Sequence, residues 1–369
     1  MPISKFDKEF EIAIVGAGPA GLSAGIVSAE LGAKVVIIDD NPVVGGQLIK
    51  QTHKFFGSKS HYCGVRGIDI AQILAQKIQH PNITLLLNAS AIGYFENNIL
   101  GIVQKDEFFK VYAPQIIFAT GAQENLIAFP NNDLPGVYGA GAVQTLMNVH
   151  GVLPGKRALM VGSGNIGLIV SYQMLQAGIE VVCVIEIMPK IGGYHVHAAK
   201  LQRAGVPILT SYTIKYALGK DCVTGAVITK VDKKYRPIKG TEKRLKVDMI
   251  CLAVGLSPLS ELLYQAGCKM MYILELGGNV AWHNENMETS QPGIFVAGDV
   301  SGIEEASTAM LEGRIAGASA FENLKGKNQI SQEIIKTAKQ ELADIRQGPF
   351  GNKAKAGKEK LLCQIDNLK

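Results

Sequence analysis

The chain has 369 residues, of which 41 are glycine, 47% are apolar and only 19% are charged, with a formal net charge of +5. Such a glycine-rich, charge-poor composition, with enough apolar mass to bury a large core, excludes a disordered chain, a coiled coil and a disulfide-stapled miniprotein. The charge is local: residues 326–369 hold nine Lys/Arg against five Asp/Glu, and residues 229–246 hold eight against two. Neither stretch interleaves aromatics as a single-strand binder would, so no nucleic-acid partner is expected. Both read as solvated segments, with a docking patch for an acidic protein as the sharper alternative.

In chain order, residues 11–15 read as a short buried strand ended by Gly16. Residues 19–32 have helical spacing with a glycine stop, and residues 34–39 (KVVIID) form a second buried strand. That is a βαβ unit of about 30 residues, the size a dinucleotide fold requires. A helix over 68–79 and strands at 83–87, 91–95 and 115–120 follow, then a linker at 152–157 around Pro154-Gly155. The unit then recurs as strand 158–161, helix 165–177 and strand 180–186. Its leading glycine, Gly162, lies 146 residues after Gly16. One repeat at that distance means two nucleotide-binding domains rather than a solenoid. Paired strands at 223–231 and 244–252 flank the basic turn. A buried strand at 293–297, a helix over 304–324 and an amphipathic helix over 331–346 complete the body. The end, 348–360 (GPFGNKAKAGKEK), reads as a mobile tail.

Gly16-Ala17-Gly18-Pro19-Ala20-Gly21 falls at the first strand-to-helix turn. There Gly16 permits the turn, Gly18 lets backbone approach a pyrophosphate, and Gly21 lets helix pack on strand. The helix N-terminus offers free N–H groups and positive dipole to the phosphates. Asp39, with Asp40 beside it, closes the second strand 23 residues after Gly16, placed to accept hydrogen bonds from ribose hydroxyls. Gly162-Ser163-Gly164-Asn165-Ile166-Gly167 repeats the pattern, and Glu186 ends its second strand. A carboxylate there accepts a free 2′-hydroxyl and repels a 2′-phosphate, so NAD is expected in preference to NADP.

Six cysteines are scattered, the closest two 17 residues apart, so there is no C-x-x-C dithiol and no zinc or iron–sulfur spacing. Cys183 and Cys251 lie in apolar strand-like runs and read as core residues. His195 and His197 lack acidic or cysteine partners at ligand spacing, and two residues apart on a helix they point to different sides, so no metal site is expected. The N-terminus lacks the apolar core of a signal peptide, which with the unpaired cysteines predicts a reducing cytoplasm. The uncharged stretches 12–29 and 158–179 each contain a fingerprint turn that would break a spanning helix, so no membrane span is expected. No nucleophile–base–acid constellation stands out, and no catalytic residue is assigned.

Three further segments, Gly45-Gly46-Gln47-Leu48, Ala119-Thr120-Gly121 and the run from Pro292 to Gly298-Asp299, resemble motifs of the two-dinucleotide flavoprotein reductases, the thioredoxin-reductase-like family. The resemblance implies that the first nucleotide is noncovalent FAD, touched by Gly46, Gln47, Leu48, Ala119, Thr120, Gly121 and Gly298. It implies that Asp299 binds the ribityl chain and that Ala306 opens a helix aimed at the flavin pyrimidine, where dipole and N–H groups stabilise negative charge. Ala253-Val254-Gly255 resembles the segment where the NAD domain returns to the FAD domain. His53, Lys54, His61 and Tyr62 read equally well as a lining of the flavin face or as an ordinary surface loop.

Departures narrow the resemblance. Thioredoxin reductases and lipoamide dehydrogenases carry cysteine pairs that are absent here, and without two exchanging thiols disulfide reduction is excluded. Residues 118–146 and 151–164 instead resemble the α (A) subunits of sarcosine oxidase, opine oxidase and proline dehydrogenase complexes. That implies electron transfer between NAD(H) and a second redox partner, a second flavoprotein subunit that oxidises an amine, imino acid or hydroxy acid. Many such relatives carry a C-terminal cysteine-rich [2Fe-2S] segment. Only Cys363 follows Cys268 here, so that cluster would sit on a separate small protein or be missing. Two alternatives are a stand-alone NADH-dependent reductase of a quinone, ferredoxin or oxygen, and a non-catalytic FAD- and nucleotide-binding assembly subunit.

The expected architecture is α/β: two doubly wound Rossmann-like domains, an NAD domain over 151–255 inserted in a discontinuous FAD domain over 1–150 and 256–325. A C-terminal helix and basic tail fill 326–369, and the chain is expected to work as an oligomer.

Overall fold

A computed structural model describes residues 7–56, 59–348 and 351–363. The backbone forms two units: Met1–Gln123 with Ser257–Lys369, and Glu124–Leu256.

In the first unit the strand Ile12–Val15 is apolar and buried at every position, as a strand covered on both faces must be. It lies at the centre of five parallel strands in the order Ile294–Val296, Gln115–Phe118, Ile12–Val15, Val35–Ile38, Ile83–Leu86. The fingerprint helix Pro19–Glu30 packs on the long helix Ala306–Lys325 along a seam of small residues. A Cβ on Gly313 would collide with the Ala20 carbonyl oxygen, and one on Gly317 with that of Ala24. The Ser28 hydroxyl donates across the seam to the Gly317 oxygen at 3.1 Å. Two backbones approach this closely only where side chains are missing. An antiparallel layer of Ala89–Phe95, Ile99–Gln104 and Glu107–Tyr112 accompanies the sheet.

The second unit repeats the plan. Its five parallel strands run Val137–Gly139, Met249–Leu252, Arg157–Val161, Glu180–Glu186, Ile208–Thr210, with the fingerprint strand again central. The outermost strand differs in origin. In the first unit it comes from far down the chain, whereas in the second it precedes the fingerprint. The mixed α/β class and the parallel Rossmann-like sheets are those expected.

Three boundaries differ from the expectation. The backbone divides at residue 123 rather than 150, because Val137–Gly139 pairs residue for residue with Ile250–Leu252 and locks the intervening chain to the second sheet. The side chain of Gln144 donates to Gln173 Oε1 at 2.8 Å inside that same unit. The strand expected over 244–252 is two strands. Lys243–Leu245 pairs antiparallel with Val223–Lys230 and is mostly exposed, while Met249–Leu252 is wholly buried in the parallel sheet. The tail expected to be mobile contains the helix Asn352–Cys363, with Ala354, Gly357, Lys358 and Leu361 buried. Residues 349–350 of that segment lie outside the described residues. Among the described residues no helix is long and apolar enough to cross a membrane.

Candidate dinucleotide-binding sites

Both fingerprint loops are closed on one side and open on the other. Gly16 holds φ +110°, and a Cβ there would collide with the Ala119 carbonyl oxygen. This seats Ala119-Thr120-Gly121 beneath the turn, as the sequence motif implies. A Cβ on Gly21 would collide with the Gly16 oxygen, so helix and strand touch there. Gly18 is different: a Cβ on it would have no neighbour nearer than the Gly46 Cα at 4.0 Å. The loop therefore faces free space at the one glycine expected to meet a pyrophosphate, at the N-terminus of a helix with no acidic residue in its first turn. Gly45 N–H donates to the Ala17 oxygen at 2.8 Å and ties the glycine pair to the fingerprint. Gln47 is exposed beside it, but the Leu48 side chain is buried in the core. The Thr120 hydroxyl donates to the Leu259 oxygen at 2.7 Å, fixing the return of the chain.

Asp39 is buried and lies under its loop. Its Oδ2 accepts the Ala17 N–H at 2.5 Å, and its Oδ1 accepts the Asn41 N–H and side-chain amide, each at 2.9 Å. Asp40 is exposed and takes the Asn41 amide on its Oδ1 at 2.9 Å. The carboxylate of Asp39 is thus fixed at the end of its strand with acceptor capacity remaining.

The second loop is built the same way. Gly162, at φ +107°, abuts the Ala253 carbonyl oxygen, Gly167 abuts the Gly162 oxygen, and a Cβ on Gly164 would meet nothing within 4 Å. Glu186 is buried; its Oε2 accepts the Ser163 N–H at 2.9 Å and hydroxyl at 2.7 Å, and its Oε1 accepts the Met188 N–H at 2.9 Å. Asn165 Oδ1 accepts the Tyr194 N–H at 2.8 Å, while Ile166 is exposed on the first helical turn and Gly255 ends the Ala253-Val254-Gly255 segment at φ +113°.

The duplication reaches further than the sequence motifs indicated. Gly192-Gly193 stands where Gly45-Gly46 stands in the first unit. Gly193 N–H donates to the Ser163 oxygen at 2.9 Å, and Gly192 N–H donates to Ser163 Oγ at 3.2 Å. The pairs begin 29 residues after Gly16 and 30 after Gly162, a spacing that overlaying the two copies would expose. Glu124 carries no sequence motif either; its Oε1 accepts the Gly141 N–H at 2.6 Å, and Cβ atoms on Gly139 or Gly141 would crowd its carboxylate.

The Gly298–Ser301 turn and Ala306, first residue of the long helix, follow the strand Ile294–Val296. Gly298, at φ +77°, would carry its Cβ 2.9 Å from that of Ala20, which brings the turn against the first fingerprint helix. The Asp299 carboxylate accepts the Glu304 N–H at 3.3 Å. Lost hydration raises its carboxyl to about 7, with repulsion from Glu312, Glu304 and Glu305 adding to the effect. A carboxyl so poorly supplied with donors suits a hydroxyl-bearing chain. Together, the open cradle at Gly18, the ribose-side acid at Asp39 and the Asp299 turn fit a flavin dinucleotide. The cysteines are free, and Cys183 and Cys251 are core residues. Burial pushes the Cys183 thiol up to about 11.

Comparison with known proteins places this geometry. Residues 10–313 match the family described as Pyridine nucleotide-disulphide oxidoreductase. The alpha subunit of sarcosine oxidase from Rhizobium meliloti is 25% identical over 81% of this chain, and the A subunit of opine oxidase from Agrobacterium tumefaciens is 24% identical over 89%. The chain spans 29% of the former's length and 69% of the latter's. The crystal structure of T. acidophilum thioredoxin reductase shares the fold with a TM-score of 0.71 at 22% identity, covering 86% of this chain and 99% of that one. The chain belongs to the pyridine nucleotide-disulphide oxidoreductase family and is an FAD-binding, NAD(P)-linked oxidoreductase.

Proposed function

We propose that this chain carries electrons between NAD(H) and a second redox partner through noncovalent FAD, as the α-type subunit of an amine, imino-acid or hydroxy-acid dehydrogenase (oxidase). The observation that carries the reading is the duplicated loop: two open glycine cradles, at Gly18 and Gly164, each with a buried acid beneath. In this reading Gly16–Gly21, Asp39, Gly46, Ala119–Gly121 and Asp299 hold FAD, and Gly162–Gly167, Glu186 and Gly255 hold the nicotinamide nucleotide. FAD, when bound, supplies the acceptor for a hydride from the nicotinamide and can pass its electrons on singly.

The chain's own contribution is position and electrostatics. The two helix N-termini bind pyrophosphate, Asp39 orients the adenosine ribose, and Glu186 repels a 2′-phosphate and so favours NAD. With no cysteines paired, no dithiol relay is involved. The relatives named as subunits support a partner that is itself a flavoprotein, with a separate small iron–sulfur protein as a further carrier. A cytoplasmic setting fits.

The test is an anaerobic NADH titration of the chain loaded with FAD, following the visible flavin absorbance. Bleaching near one equivalent of NADH is expected. A yellow protein that NADH leaves unbleached would overturn the NAD-to-FAD path, leaving the second cradle structural or regulatory.

A further inference from the structure

Beneath the Gly298–Ser301 turn the first unit buries four charged groups. Glu312, in the long helix, is 2% exposed. Its Oε2 accepts the Gly298 N–H at 2.9 Å and the Ser301 hydroxyl at 2.7 Å. Its Oε1 pairs with Arg346 at 2.7 Å and with Lys358 at 2.9 Å. Lys358 comes from the C-terminal helix and is 6% exposed. Its ammonium also donates to the Ser301 oxygen at 3.0 Å and Oγ at 2.8 Å, and it stands 3.3 Å from His283 Nε2. His283 Nδ1 lies 2.9 Å from the Asn284 carbonyl oxygen, which can only accept, so Nδ1 carries the proton and Nε2 is the acceptor. Arg346 forks onto Glu304 at 3.0 and 2.6 Å, and Glu304 is the residue whose N–H reaches Asp299.

The charges balance, two carboxylates against one guanidinium and one ammonium. Removing four such groups from water is expensive, and well-packed apolar residues of similar volume would be about as stable. The arrangement therefore needs a purpose beyond holding helices together. Its bonds converge on one short piece of backbone: the N–H of Gly298 and the hydroxyl and carbonyl of Ser301, on either side of Asp299.

We infer that Glu312 and Lys358 are positioning residues for the flavin-binding turn, with Lys358 reaching it from the C-terminal helix, so that residues 329–363 complete the flavin site. This rests on the FAD reading above. Lys358 and Arg346 together keep Glu312 ionised, and ionised Glu312 fixes the Gly298 N–H and the Ser301 hydroxyl. A lost cation would leave Glu312 under-paired and free to turn away from Gly298.

The test is FAD affinity, read from flavin fluorescence on titrating the full-length apoprotein, for the wild type, Glu312→Gln, Lys358→Met and the double variant. Each single variant is expected to weaken FAD binding by about tenfold or more, since it strands a buried charge. In the double variant the introduced glutamine amide oxygen still accepts the Gly298 N–H and no charge is stranded, so affinity should return to within about threefold of wild type. The bound flavin's visible band should lose its fine structure in the single variants and regain it in the double. Single variants that bind FAD as wild type does, while melting at lower temperature without it, would overturn the inference and leave the cluster a folding device. If Lys358→Met does not fold, Lys358→Arg, which keeps the charge and alters the reach, takes its place with the same expectation. A wild-type chain that takes up no FAD would instead sink the FAD reading itself, and that control separates the two failures.

Discussion

Gly46 stands against Gly18 so closely that a Cβ on Gly46 would lie 2.8 Å from the Gly18 Cα, while Gly18 itself borders free space. The two glycines have different duties, one to packing and one to a ligand. Gly18 has φ −77° and Gly164 φ −66°, both ordinary for alanine. Gly18→Ala and Gly164→Ala should therefore leave the melting temperature of the apoprotein within about 2 °C of wild type. Gly18→Ala should lose FAD; Gly164→Ala should keep FAD and lose bleaching by NADH. Gly21→Ala, which puts its Cβ into the Gly16 oxygen, should fail to fold. Equal melting losses for all three would mean that the cradles are packing features only.

Glu186→Gln removes a charge while leaving an oxygen for the Ser163 N–H and hydroxyl. Without the negative charge, the ratio of NADPH- to NADH-driven bleaching should rise about tenfold. An unchanged ratio would show that the carboxylate does not face the 2′ position.

Asp299 ties stability to pH. Its carboxyl, raised by burial to about 7, stays protonated in the folded apoprotein where the unfolded chain has already released the proton. The ionised form is the costly one, so stability falls as pH climbs from about 4 to about 7. Asp299→Asn removes that slope. It should match wild type near pH 4 and exceed it at pH 8 by about 2 kcal/mol, allowing for the remaining solvent contact. His283 works in the opposite sense: burial and nearby Lys358 hold it down at about 3. Below about pH 6.5 the unfolded chain takes up a proton that the fold refuses, so the variant should lose stability on acidification. Urea unfolding of the two apoproteins across this range checks both slopes.

The seam between the fingerprint helix and the long helix tolerates no added methyl. Gly313→Ala sets its Cβ against the Ala20 carbonyl oxygen, and it should destabilise the first unit by about 1–3 kcal/mol through overpacking. Gly178→Ala is a contrasting control: nothing lies within 4 Å of its Cβ, and its φ of +87° leaves only backbone strain, of about 1 kcal/mol. Urea midpoints for the two variants give the comparison.

The parts of the fold that were legible are those that local spacing encodes. Gly16 to Asp39 and Gly162 to Glu186 form single βαβ units, in which turn, helix and acid fall within a few dozen residues. Gly192-Gly193 was legible in principle, as a second glycine pair at nearly the same offset, but its sequence surroundings differ from those of Gly45-Gly46. The Glu312–Lys358 pair was not legible. The partners are 46 residues apart, and a lysine in a basic, glycine-containing stretch reads as solvated unless its tertiary partner is known. Composition spoke for an exposed tail; one buried carboxylate reverses that reading. The boundary at residue 123 was hidden for a related reason, since Val137–Gly139 is too short to announce which sheet it joins.

The order in which the first sheet acquires its strands has a consequence during synthesis. Gln115–Phe118 is buried at every position once Ile294–Val296 lies beside it, yet that neighbour leaves the ribosome more than 170 residues later. At 5–20 residues per second the nascent chain spends roughly 10–35 s with an apolar strand edge unpaired. The contiguous segment Glu124–Leu256 emerges in the meantime and can close its own sheet first. Expression at lower temperature or with added chaperones should therefore raise the soluble yield, and truncation before residue 294 should abolish it.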